Sequence, residues 1–336
     1  MKFGWKEYCL PATSIIGRCF FNATVMSRSP VQHVAIAAKG AAMGVADLVP
    51  GVSGGTIALV TGIYEELIAS LARIGPERWG DFRRGGLIGL WRSINGSFLL
   101  ALFSGLLLAI VTMAELMKWL LDNHRVVLWG FFFGLILASV PLVLLRLKTW
   151  HWRWLPWLLS GVAVGLGITL LGPGSTPDAL WMIFLAGLIA VSAMVLPGIS
   201  GSFLLLLMAQ YETMVNAVVE RDLLTISLFA IGAVIGALSI ARLLAALFRR
   251  HHDRTIALLT GFMLGSLNAL WPWQYGVSER GGLGGHFWPW QFEAVSGQAP
   301  QLLAVAGAFL AGLVVIGVFA RVEMGRVGQG GKGSRG

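Results

Sequence analysis

Charge is what this chain has least of. Only 12% of its 336 residues are charged while 56% are hydrophobic, and a soluble domain carries about 25% charged residues. A soluble enzyme is excluded on that ground, and so is a disordered chain, which needs low hydrophobicity and high net charge. Cysteine is almost absent. Cys9 and Cys19 lack CxxC spacing, so neither a disulfide framework nor a cysteine metal site is available; no metal, cofactor or redox chemistry is implied. Acidic residues are the scarcer sign, 16 against 25 Lys and Arg, for a net charge of +9. The basic residues do not gather into a block with interleaved aromatics but sit between apolar stretches, which points to membrane orientation and away from nucleic acid. What is abundant fits the same class. Mean hydropathy is +0.76, with 44 Gly and 14 Trp, suiting close helix packing and interfacial belts. The chain reads as an all-α integral membrane protein.

Crossing about 30 Å of hydrocarbon takes about 20 apolar residues. Six segments qualify: 96–121, 125–146, 154–172, 223–248, 255–273 and 301–320. Two more apolar regions, 31–71 and 179–217, are interrupted by Pro50-Gly51-Val52-Ser53-Gly54-Gly55 and Pro197-Gly198-Ile199-Ser200-Gly201-Ser202. Proline removes a backbone donor and glycine a steric restraint, so each region should break into two arms at Pro50, Gly51 and at Pro197, Gly198. These read as re-entrant hairpins. Pro50, Gly51, Ser53, Gly54, Tyr64 and Glu65 match Pro197, Gly198, Ser200, Gly201, Tyr211 and Glu212 at a constant offset of 147. Gly130-Phe131-x-x-Gly134 with Pro141 matches Gly261-Phe262-x-x-Gly265 with Pro272 at an offset of 131. The expected organisation is a cytoplasmic or interfacial segment 1–30, repeat unit 31–175, repeat unit 176–320 and a flexible cytoplasmic tail 321–336. Each unit holds one hairpin and three spans. Three is odd, so the units should be inverted relative to each other.

Irregular backbone at membrane depth leaves N–H and C=O groups that cost several kcal/mol each unless they line a polar cavity or are buried in protein. A ligand is the usual compensation. The amides of Ser53, Gly54, Gly55 and Thr56, with two hydroxyls, should face the positive end of a helix dipole, and Ser200, Gly201 and Ser202 should repeat this from the other unit. That is a donor set for an anion such as phosphate. Ionisable residues inside apolar spans are costly and usually functional or paired. Arg242 and Lys39 are candidates for neutralising a bound phosphate, and Asp47, Glu65 and Glu212 for carrying coupling protons. The alternatives are internal salt bridging, such as Lys39 with Asp47, or interfacial placement of the glutamates. Trp271, Trp273, Trp288 and Trp290 read as an interfacial belt flanking the loop 274–299.

Lys39-Gly40-x-x-Met43-Gly44-x-Ala46-Asp47-x-Val49-Pro50-Gly51-Val52-Ser53-Gly54-Gly55-Thr56 with Gly62-Ile63-Tyr64-Glu65 resembles the signature of the bacterial polyprenyl-phosphate transporter family. Ala193-Met194-x-Leu196-Pro197-Gly198-Ile199-Ser200-Gly201-Ser202-Phe203 with Tyr211-Glu212, and Gly265-Ser266-Leu267 with Leu270-Trp271-Pro272-Trp273, resemble its other marks. The resemblance covers about 31–320. It departs from the family at Ala241, where a serine usually precedes the arginine of the fifth span. It implies a carrier that returns undecaprenyl phosphate from the outer to the inner leaflet of the bacterial cytoplasmic membrane for cell-envelope polymer synthesis; with membrane lipids around it, coupling to an ion gradient, H+ or Na+, is the expectation, and the sequence does not tell which ion. Oligomeric state is not legible. One rival is an undecaprenyl pyrophosphate phosphatase, whose comparable motif puts an arginine after the serine. Here Gly54 and Gly201 stand in that place, and His33 is too far back in sequence to serve Ser53 as base. The other rival is a small-anion transporter or channel.

Twenty of the 25 basic residues fall in 1–40, 73–95, 146–153, 249–254 and 321–336. This places those segments and both termini in the cytoplasm. In a Cys9→Ser, Cys19→Ser background, a cysteine at position 176 or 285 should react with an impermeant thiol reagent applied to intact cells, and one at position 84 should not. Labelling at 84 reverses the orientation.

Overall fold

The structure is a computed structural model that describes residues 28–49, 51–149, 152–171, 179–275 and 285–330. Pro50, the segment before Arg28, position 176, Arg280 and residues 331–336 lie outside the described residues. Helix α1 (Pro30–Asp47) starts at a Ser29 capping box. It is followed by α2 (Gly54–Val60), α3 (Tyr64–Ala72), α4 (Trp79–Ser93), α5 (Gly96–Asn123), α6 (Arg125–Leu144) and α7 (Leu155–Leu170). Then come α8 (Leu180–Val195), α9 (Gly201–Leu207), α10 (Tyr211–Glu220), α11 (Leu223–Ser266), α12 (Pro289–Ser296) and α13 (Leu302–Gly330). A two-residue antiparallel ladder, Gln274–Tyr275 with Gly285–His286, is the only β pairing among the described residues. The protein is therefore helical. Five helical stretches are long and apolar enough to cross a membrane.

Six such segments were expected, and the difference lies in α11. Residues 223–248 and 255–273 merge into one helical stretch interrupted at His251, with φ −142° and ψ 51°. A side chain at Gly161 would meet Leu258 and one at Gly165 would meet Phe262, while Gly187 faces Phe229 and Gly236 faces Leu188. Thus α7 runs parallel to the second limb of α11, and α8 parallel to the first. Were α11 straight, the end of α7 and the start of α8 would stand roughly 70 Å apart at 1.5 Å per residue. The eight peptide steps from Leu171 to Ala179 reach at most about 29 Å. The chain therefore folds back at His251, and the two limbs of α11 run in opposite senses.

The same spacing of small residues joins the other helices. Gly40 and Gly44 of α1 lie against the Leu102 and Leu106 carbonyls of α5, and Gly130 and Gly134 of α6 against Val305 and Phe309 of α13. Register climbs together in both cases, so these pairs are parallel too. Backbones in such contact gain dispersion and exclude lipid, the packing that membranes favour where the hydrophobic effect cannot drive association. The main pairings come in matched sets: α1 on α5 answers α8 on the first limb of α11, and α6 on α13 answers α7 on the second limb, the latter two joining residues before 175 to residues after 176.

A branched side chain should be tolerated or rejected within one helix according to this packing. A Cβ at Gly161 would lie 2.2 Å from the Leu258 carbonyl oxygen, whereas nothing lies within 4 Å of one at Gly167. Gly161→Leu should destabilise the detergent-solubilised protein by about 1–3 kcal/mol or more through overpacking, and Gly167→Leu by less than about 0.5 kcal/mol. Thermal unfolding followed by circular dichroism measures both. Equal stability of the two variants would refute the packing register.

Candidate functional site

The first break begins where α1 ends. Gly44 touches Leu106 and Ala109, which puts the end of α1 level with the middle of the 28-residue α5. Gly51 has φ +87°, a conformation that favours glycine, and it packs on Ala269 and Leu270. The chain then runs back along α1: Gly54 N–H donates to Asp47 Oδ1 at 2.6 Å, and Lys39 Nζ donates to the Thr61 carbonyl at 2.6 Å. At Thr61–Ile63 it turns again, and α3 leaves at 116° to α2. The second break has the same backbone. Gly198 has φ +86°, a Cβ there would lie 2.7 Å from the Phe262 carbonyl oxygen midway along the second limb of α11, and Gly201 faces Ala190 and Met194 of α8.

The two breaks meet. Ser53 Oγ lies 3.2 Å from both the Met194 and the Leu196 carbonyls, and Tyr64 donates to the Val195 carbonyl at 3.0 Å. Gly198 N–H donates to Thr56 Oγ1 at 2.8 Å. So the first unit's side chains take up the carbonyls that α8 leaves orphaned at its C-terminus and one amide of the second tip. Ser53, Thr56 and Ser200 are buried. Desolvated polar groups of this kind are expensive unless bonded.

The amides expected to be open to a ligand are engaged here. Gly54 N–H is held by the Asp47 carboxylate, Gly55 N–H by Ser53 Oγ at 3.1 Å, and Thr56 N–H by the Ser53 carbonyl at 2.9 Å. An anion does sit at the N-terminus of α2, and it is the protein's own Asp47. The other end of α2 is met by cations, Lys39 at Thr61 and Arg146 Nη2 at the Val60 carbonyl, 3.2 Å away. Both ends of the helix dipole are thereby answered. Lys39 thus serves the end of α2 remote from Asp47.

The remaining candidates lie apart. Ser200 and Ser202 share a hydrogen bond of 2.9 Å. Glu65 Oε1 is 3.3 Å from His252 Nε2, in the turn joining the two limbs of α11, where the neighbouring carboxylate holds His252 above the usual histidine range. Its counterpart Glu212 is exposed. Arg242 is also exposed; its guanidinium donates to the Ile74 carbonyl at 2.8 Å and lines a cavity of about 360 Å³ with Arg73, Glu77, Arg78 and Arg249. A second cavity, about 370 Å³, is bounded by apolar groups together with Asn268, Trp271 and His286. It lies at the far end of the second limb, roughly 20 Å along the helix from His252. Sequence reasoning missed Arg146 and His252, counted only as orientation charge or passed over; no motif marks either. Among the described residues the partners of Ser53 Oγ are the Met194 and Leu196 carbonyls and the Gly55 amide, not a side-chain base, and His33 turns its ring to the Ser29 carbonyl.

The profile of the undecaprenyl phosphate translocase-like family matches residues 43–285, which contain both breaks. The chain belongs to this family. It is 40% identical over 299 residues to the polyprenyl-phosphate transporter of Vibrio cholerae serotype O1, covering 87% of this chain and 97% of that one. To the polyprenyl-phosphate transporter of Staphylococcus aureus it is 37% identical over 255 residues, 70% of this chain and 84% of that one. No solved structure matches. These family members are named as transporters and not as hydrolases.

The asymmetry between the equivalent tyrosines gives a test. Tyr64 is fully buried and bonded to the opposite break, whereas Tyr211 is 41% exposed. Tyr64→Phe leaves the Val195 carbonyl without its donor and should cost about 1–3 kcal/mol; Tyr211→Phe should be neutral within about 0.5 kcal/mol. Thermal unfolding of both variants distinguishes them, and a neutral Tyr64→Phe would remove the contact between the tips as a source of stability.

Proposed function

We propose that this protein carries polyprenyl phosphate across the bacterial cytoplasmic membrane, taking undecaprenyl phosphate from the outer to the inner leaflet so that it can be used again in envelope synthesis. The observation that carries the reading is the meeting of two broken helices, tip to tip, level with the middle of the flanking spans, in a chain of this family. The two breaks act as re-entrant hairpins from opposite faces, a reading supported by their shared backbone at Gly51 and Gly198 and by the matched helix pairings.

Carriers built this way move one unit against the other around a fixed site. In the arrangement described, the tips close on each other and leave one cavity beside the His251 turn of α11 and another at the far end of its second limb. Opening requires the Ser53, Tyr64 and Thr56 bonds to part. The lipid phosphate then replaces internal partners: it competes with the Asp47 carboxylate for Gly54 N–H and takes the amides of Gly55 and Thr56 together with Ser200, Gly201 and Ser202. Two anions cannot share these donors at little cost. Protonation of Asp47 relieves the competition, which ties phosphate binding to a proton and makes Asp47 the coupling group. Lys39 and Arg242 offset the remaining negative charge along the path, and Glu65 and Glu212 stand next in line for coupling.

Purified protein in liposomes, with polyprenyl phosphate scored by leaflet and an imposed pH or Na+ gradient, tests this. Wild type should move the lipid in a gradient-dependent way. Ser53→Ala and Ser200→Ala should slow transport roughly tenfold, one charged-group hydrogen bond being about 1.5–3 kcal/mol. A bulky residue at Gly54 or Gly201 should abolish it, since a Cβ would lie 2.5 Å from Asp47 Oδ2 or 2.6 Å from the Ala190 carbonyl oxygen. Asp47→Asn should keep lipid binding and lose the response to the pH gradient. A normal response in Asp47→Asn moves the coupling role to Glu65 or Glu212.

A further inference from the structure

Four arginines surround one cavity beside the first limb of α11. Arg73 closes α3, Arg78 precedes α4, and Arg242 and Arg249 stand two turns apart on the first limb of α11. The only carboxylate in the lining is Glu77, so the walls carry an excess of three positive charges. Arg78 is also 3.2 Å from Asp81. Burial, and after it the nearby Arg78 guanidinium, hold Arg73 below the ordinary arginine range. Gly75 leaves room for the ends of the Arg242 and Glu77 side chains, which a Cβ there would meet.

Depth and neighbours identify the occupant. Arg249 is two residues from the His251 turn and Arg242 nine, so the cavity spans roughly 13 Å below one face of the bundle. Its outer end at Arg249 lies beside the turn, and its inner end at Arg242 lies level with the C-terminus of α8, since Gly236 meets Leu188 and Ser192. Beside it α4 exposes Leu87, Ile88 and Trp91 and carries Arg83, Arg84 and Arg92, the composition of a helix lying in an interface. Planar guanidinium forks match phosphate oxygens bidentately and form charge-assisted bonds. A volume near 360 Å³ falls in the range of ligand pockets, about 300–1,000 Å³.

We propose that the cavity of Arg73, Arg78, Arg242 and Arg249 is a second phosphate site, a station between the level of the hairpin tips and the cytoplasmic turn at His251 that holds a phosphomonoester after it leaves the tips. It rests on the transporter reading for the source of that phosphate, and on the charge count for the side. Glu77 opposes the bound anion and keeps the station releasable. Electrostatic retention without a matching acid would trap a dianion, which a carrier has to let go.

Titration calorimetry of the full-length protein in detergent, with inorganic phosphate in one arm and farnesyl phosphate in the other, decides it. Arg73→Gln and Arg249→Gln should each weaken binding about tenfold, and Glu77→Gln should tighten it several-fold, a gain that misfolding cannot produce. Loss in the farnesyl phosphate arm alone assigns the site to the lipid headgroup, and loss in both arms to the phosphate group whatever bears it. No binding by wild type in either arm, or changes below threefold in both arginine variants, overturns the proposal. Liposome transport by wild type with arginine variants that bind normally would discard this site and keep the carrier; arginine-dependent binding without transport would do the reverse.

Discussion

Everything in this molecule answers to one constraint: backbone that leaves the helix in the middle of an apolar bundle must find partners for its amides and carbonyls. Neither break solves this alone. The first break supplies side chains, and the second supplies the carbonyls of Met194, Val195 and Leu196 and the amide of Gly198. The tips are consequently stable against each other and unstable apart, unless something else bonds them. A phosphate has the acceptor oxygens to do that for the amides, and this is why a closed, internally satisfied tip layer is compatible with a carrier.

The two copies share a backbone and divide the chemistry. Gly51 and Gly198 have nearly the same φ, and Gly62 with φ +77° is matched by Ala209 with φ +53°. Yet at the offset of 147, Asp47 corresponds to Met194 and Thr56 to Phe203. The first copy therefore keeps the carboxylate and the hydroxyl that reaches across, while the second presents main chain. Tyr64 is buried against Phe248, whereas Tyr211 is exposed. Symmetry of motif does not carry symmetry of role, because a contact between unlike tips needs a donor side and an acceptor side.

Glycine does the long-range work. Parallel pairs, α1 with α5, α8 and α7 with the two limbs of α11, and α6 with α13, approach until glycines meet carbonyl oxygens. This close packing fixes the depth at which each break sits. Depth in turn decides which polar groups can reach one another and where the arginines of the cavity at Arg242 come to lie.

Much of this was legible in the residues. Apolar runs of sufficient length, Pro-Gly interruptions and a constant spacing between two copies were enough to establish a helical membrane protein with two broken elements, since hydropathy and backbone restraint are local properties. The family too was readable from the motif around Asp47 and Ser53. Partnership was not. That Asp47 would cap Gly54, that Lys39 and Arg146 would meet the far end of α2, that Glu65 would face His252 and Glu212 would not, and that Arg242 would join Arg73, Arg78 and Arg249 all depend on contacts between residues far apart in sequence. Periodicity tells which face of a helix is apolar; only tertiary packing sets the rotation, depth and neighbour that bring a given charge to a given carbonyl or to another charge.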